Sequence, residues 1–148
     1  MSVSYDMFTQ AFLSKVTEYD FPISEYERNT LVDGYMKRAI ADFKSVCLYD
    51  LWTTADDIIR EFEVDIAVED LDEILDIVSE GMLVQWMKPY VLRQENLENF
   101  LNTRDFSSYS PAELLLRIRE TYAMVKRDFT NMCREYSYRH GDLTDLHL

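Results

Sequence analysis

The sequence predicts an all-α protein, a bundle of four to five helices with a projecting acidic arm and an extended C-terminal tail. Three observations carry that reading. Only three Gly and three Pro in 148 residues leave few helix breakers. A hydrophobic content of 47 % supplies a core and argues against disorder. Finally, Leu115, Ile118, Tyr122, Val125, Phe129, Met132 and Tyr136 recur at spacings of three and four, an apolar seam along one long helix. The chain reads as one domain, 1–148, organised around that seam helix.

Taken in order, residues 4–19 form a first amphipathic helix, with Ser4 as its cap and Tyr5, Phe8, Phe12, Leu13 and Val16 on one face. Asp20-Phe21-Pro22 breaks it. Ser24 and Glu27 make a capping box for a second helix reaching about residue 47. That helix is expected to bury Leu31, Tyr35, Ala39, Phe43 and Val46 or Cys47. Gly34 within it suggests a close helix crossing, since a helical Gly costs about 1 kcal/mol against Ala. Thr53 or Thr54 is a cap for a short helix to Glu61. Phe62 to Ile66 then alternates apolar with acidic. With no second strong strand to pair with it, this reads as an extended loop or hairpin arm (about 54–70) rather than a sheet.

From Asp70 a third helix buries Leu71, Ile74, Leu75, Val78, Met82, Gln85 and Trp86, its early acids complementing the helix dipole. Pro89 should kink or end it, and Val91, Leu92, Leu97, Phe100 and Leu101 suggest a further leg. Residues 103–109 are a polar linker. The seam helix opens with Ser110 as cap, Pro111 at the first helical position and Glu113 completing a capping box. Glu113/Arg117 and Glu135/Arg139 have i,i+4 spacing. Gly141 stops the helix, leaving a tail at about 138–148.

The formal net charge of −13 excludes general affinity for nucleic-acid phosphates. The charge is uneven. Eleven acids and one base, Arg60, lie between residues 56 and 80, whereas 110–139 has six bases against four acids. Such a chain suits head-to-tail stacking on copies of itself, and a solvated acidic face is the plainer alternative. Cys47 and Cys133, each within a helical pattern, read as buried free thiols. No metal site is expected from His140 and His147, and no cofactor. No glycine-rich phosphate loop or nucleophile elbow occurs, so an enzyme is not expected. Neither is a secretory leader or a membrane span.

The run 71–90 (LDEILDIVSEGMLVQWMKPY), a Phe/Ser/Tyr-rich linker at 106–110 and a seam helix ending Arg134-Glu135-Tyr136 resemble the small connector proteins of tailed bacteriophages. These are the adaptor, or head-completion, proteins of the neck. Gly81, Met82, Trp86, Lys88 and Pro89 are the most specific part of the resemblance, which spans roughly residues 71–136.

The resemblance implies a dodecameric ring beneath the portal protein. That ring would extend the channel for double-stranded DNA, without sequence recognition, and offer a platform for the next neck or tail protein. It further implies a virion protein made in the host cytoplasm, with a portal-docking tail of Tyr138, His140, Asp142, Leu143, Leu146 and Leu148. Asp65, Glu69, Asp70 and Asp72 are expected to face the channel or a basic neighbour. Trp86, Pro89 and Tyr136 are expected first in packing and second at an interface. Another neck or tail-completion protein, a tail-assembly chaperone and a cytosolic protein-binding module are the alternatives.

Overall fold

Residues 2–16, 25–92 and 111–140 are described by the structure, a computed structural model. In order they form β1 (Val3–Ser4), α1 (Tyr5–Leu13), α2 (Glu25–Phe43), β2 (Ala55–Asp56), β3 (Glu61–Phe62), α3 (Val68–Leu92) and α4 (Pro111–His140). The fold is thus mostly helical, with a small sheet in the order β1-β3-β2.

α3 is the hub, in place of the seam helix. It packs on α1, α2 and α4 together. Its sequence explains the position, because Ile74, Ile77, Val78, Met82, Val84, Trp86 and Met87 are all buried and do not share one face. The expected face of α3 is found, and the burial extends well beyond it. The helix runs through Pro89 to Leu92 instead of stopping at the proline. The further leg at 93–101 and the linker 103–109 lie outside the described residues.

The seam of α4 is found as read, with Ile118, Val125, Phe129 and Tyr136 buried and Tyr122 and Met132 packed against them. Pro111 opens the helix. Ser110 and the Glu113 and Leu115 side chains lie outside the described residues. Arg139 does not pair with the Glu135 carboxylate; it makes an ion pair with Glu73 of α3.

α2 keeps the expected period but not the expected register. Leu31 is exposed, and the buried line is Val32, Met36, Ala39, Ile40 and Phe43. The helix ends at Phe43, so Val46 and Cys47 sit half-buried in the turn that follows. Gly34 marks no crossing, for nothing lies within 4 Å of where its Cβ would be. The crossing is at Gly81, where a Cβ would stand 2.8 Å from both the Ala39 methyl and the Phe129 ring. α2, α3 and α4 meet at that point.

Ser4 caps α1, its hydroxyl accepting from the Asp6 amide at 3.2 Å. The helix ends at Leu13, short of residue 19, where the bonding tightens to a three-residue span: the Lys15 amide donates to the Phe12 carbonyl at 2.9 Å and the Val16 amide to the Leu13 carbonyl at 3.4 Å. The Ser24 cap of α2 lies outside the described residues.

The segment expected to be an arm is a hairpin clasped to the body. β3 pairs antiparallel with β2 (Ala55↔Phe62, Asp56↔Glu61) and with β1 (Val3↔Phe62, Ser4↔Glu61). The partner strand that the sequence seemed to lack is the N-terminus. Phe62 is buried with its ring 4.7 Å from Tyr5 and 5.4 Å from Phe8, and Ile66 is buried too. No helix starts at Thr53 or Thr54. Instead the Asp50 carboxylate accepts the amides of Trp52 (3.0 Å) and Thr53 (2.9 Å), bending the chain toward β2.

Candidate assembly surfaces

The hairpin turn is braced by several side chains. Asp56 Oδ1 accepts the amides of Ile58 (3.0 Å) and Ile59 (3.4 Å). Arg60 follows with φ 54°, a left-handed conformation that a non-glycine residue adopts at a cost. Its guanidinium repays that by gripping both carboxylate oxygens of Asp33 in α2, at 2.8 and 2.9 Å, and Asp6 in α1 at 2.7 Å. The Arg60 carbonyl accepts the Tyr5 amide at 2.9 Å. Asp57 accepts the Tyr5 hydroxyl at 2.8 Å and forms an ion pair with Lys37.

The electrostatics follow from these contacts. The hydrogen bond to Asp33 raises the Arg60 guanidinium still further above its ordinary value. Burial, and then Asp57, push the Tyr5 phenol up. Lys37, and then Tyr5, hold the Asp57 carboxyl below the usual range. Asp57 and Arg60 thus tie the turn to α1 and α2, while Ile58 (94 % exposed) and Ile59 (55 %) face solvent.

The four acids singled out in the sequence do not act as one group. Asp65, Glu69 and Asp72 are exposed. Asp70 is half-buried and accepts the Tyr49 hydroxyl at 2.6 Å, a bond that pushes the Tyr49 phenol up. Asp70 therefore ties the loop before β2 to the start of α3. Its neighbour Glu73 holds the C-terminal end of α4 through Arg139 and through His140 Nε2 at 3.1 Å.

Tyr138 and His140 consequently belong to α4 and not to a tail. Tyr138 is exposed, while the His140 ring lies 4.4 Å from that of Tyr136. Asp142, Leu143, Leu146 and Leu148 lie outside the described residues, as do Gly141 and His147. Tyr136 is fully buried in packing, its ring 5.0 Å from Phe43 and its hydroxyl accepting the Leu48 amide at 3.2 Å. Burial pushes its phenol up to about 12. Trp86 is buried in the core, whereas Pro89 is exposed near the end of α3.

A groove of about 390 Å³ runs between the end of α2, α3 and α4. Buried Val84 and Phe129, with half-buried Tyr122, give it an apolar wall. Exposed Asp42, Lys88 and Lys126 edge it, and Cys133 lies alongside. Burial, and then Asp42, push the Cys133 thiol up to about 11, so it is a poor nucleophile near neutral pH. Cys47 and Cys133 are both free and only partly buried. Among the described residues no three His, Cys, Asp or Glu side chains gather as a metal site, and no helix is long and apolar enough to cross a membrane.

The Arg60 clasp and the groove were not foreseen from sequence. The clasp had a signal, a lone base amid eleven acids, which is where a charged side chain finds partners across the fold. The groove had none, because its lining comes from three helices distant in sequence. No family model, no curated protein and no solved structure matches the chain.

Proposed function

We propose that the chain is a structural protein of the tailed-phage neck, a head–tail adaptor subunit that assembles as a ring beneath the portal. The ring extends the DNA channel and joins capsid to tail. The observation that carries this reading is the hairpin turn. Two isoleucines are held out in water by a turn that Arg60 and Asp57 pin to α1 and α2, an arrangement that serves contact with another protein surface.

Two further observations support it. The residues most specific to the connector resemblance divide physically. Gly81, Met82 and Trp86 are buried, and Lys88 and Pro89 are exposed at the end of α3. The exposed acids Glu63, Asp65, Glu69 and Asp72 would repel duplex phosphates and let DNA slide, as a conduit requires.

Mass spectrometry of purified tailed particles tests the reading. The chain is expected in the particles at a copy number matching the portal ring. Its absence from them, with the chain abundant in the infected cell, would favour a chaperone or another cytosolic binding protein.

A further inference from the structure

We propose that the Ile58–Ile59 tip of one copy seats in the groove between α3 and α4 of the next copy. The contact names the partner surface within the ring described above and rests on that reading for closure of the ring. It is itself a property of the isolated chain.

The tip supplies one half. Ile58 and Ile59 lie outside the core cluster, and the grip of Arg60 on Asp33 and Asp6 fixes the turn that carries them. The groove supplies the other half, an apolar wall of Val84, Tyr122 and Phe129 suited to branched aliphatic side chains.

Charge sets the pairing. Asp56, Asp57 and Glu61 lie in the turn or on the strand ends that carry it, and the two bases nearby, Lys37 and Arg60, are already paired with acids of their own copy. Lys88 and Lys126 edge the groove and form no ion pair among the described residues; among the described lining residues Asp42 is the one acid. An acidic collar around an apolar tip thus meets a basic edge around an apolar wall.

The two surfaces also lie on different flanks. The sheet packs on α1, the groove is built on α4, and α3 stands between α1 and α4. A contact between two different patches is head-to-tail, so each copy keeps one free tip and one free groove. Repetition closes a ring or runs on as a filament.

The test uses two variants, each with one surface disabled. Ile58→Asp/Ile59→Asp spoils the tip and Lys88→Glu/Lys126→Glu spoils the groove edge; both change exposed side chains, and circular dichroism checks the fold. In analytical ultracentrifugation at the highest soluble concentration, the unmodified chain is expected to form multimers that dissociate with added salt. Each variant alone is expected to be monomeric. An equimolar mixture is expected to form one-to-one dimers and nothing larger, since it holds one good tip and one good groove.

Cys133 beside the groove gives a second readout. Ile58→Cys in a Cys47→Ser background should, under mild oxidation, yield disulfide ladders linking positions 58 and 133. A monomeric unmodified chain, a folded tip variant that still multimerises, or a 58–58 link in place of 58–133 would overturn the contact. Absence of the contact in a chain present in virions leaves the neck reading standing. The contact in a chain absent from virions does the reverse.

Discussion

Gly81 of α3 lies so close to Phe129 of α4 that a methyl group in place of its hydrogen would stand 2.8 Å from the ring. That absence of a side chain lets three helices meet at one point. Gly81→Ala is expected to lower stability by about 1–3 kcal/mol through overpacking. Gly34→Ala should do the opposite. With open space around it and no positive φ, it should gain about 0.5–1 kcal/mol from helix propensity and a less flexible unfolded chain. Urea denaturation of the two variants gives both signs. Equal effects would mean that Gly81 is not the crossing.

Arg60 joins the hairpin to α1 and α2, so its loss should loosen a defined place. Arg60→Ala is expected to cost about 2 kcal/mol by stranding Asp33, which is itself largely shielded from water. Arg60→Gly should be milder by about 1 kcal/mol, because the left-handed backbone at this position suits glycine. Hydrogen exchange at the Tyr5 amide, which donates to the Arg60 carbonyl, reports the hairpin directly.

The buried Tyr136 phenol titrates high, at about 12, against an ordinary value of about 10. A raised pKa in the folded chain means that folding favours the neutral phenol. Its contribution is complete below about pH 10 and is lost as the pH climbs toward about 12. Tyr136→Phe should therefore show a smaller fall in urea midpoint than the unmodified chain across that window, although it gives up the bond from the Leu48 amide. Identical slopes would show that the phenol is not shielded.

Asp70 and its acidic neighbours should separate by experiment. Neutralising Asp65, Glu69 and Asp72 together is expected to leave stability within about 0.5 kcal/mol, since all three are exposed. It should nevertheless impair DNA retention in particles. Asp70→Asn should cost about 1 kcal/mol by weakening the link to Tyr49. Unchanged infectivity of the triple variant would remove those acids from any channel or neighbour contact.

The long helices were legible because their apolar spacing is dense enough to survive without tertiary information. α4 is the clearest case. Its seam offers a single register, and the helix adopts that register. α2 offers two, since Leu31-Tyr35 and Val32-Met36 are both apolar and both lead to Ala39 and Phe43. Only the packing against α3 decides between them.

The sheet was illegible for a different reason. β1 is two residues long and pairs with a strand nearly sixty residues away, so neither strand carries a pattern of its own. The hub position of α3 could have been read. A helix with Ile74, Ile77, Val78, Met82, Val84, Trp86 and Met87 is apolar on more than one face, as a helix surrounded by others must be. Of the candidate surfaces, the charge asymmetry was visible in the sequence. The outward turn at Ile58 and Ile59 was not, because adjacent isoleucines on a strand or helix would be read as core.

The proposed neck assignment is tested most directly by deleting the gene from a tailed phage that encodes it and imaging the lysate by electron microscopy. A head–tail adaptor should leave filled or emptied heads with no tails attached and free tails beside them, with joining restored when the purified chain is added back. Fully joined, infectious particles made without the chain would contradict it.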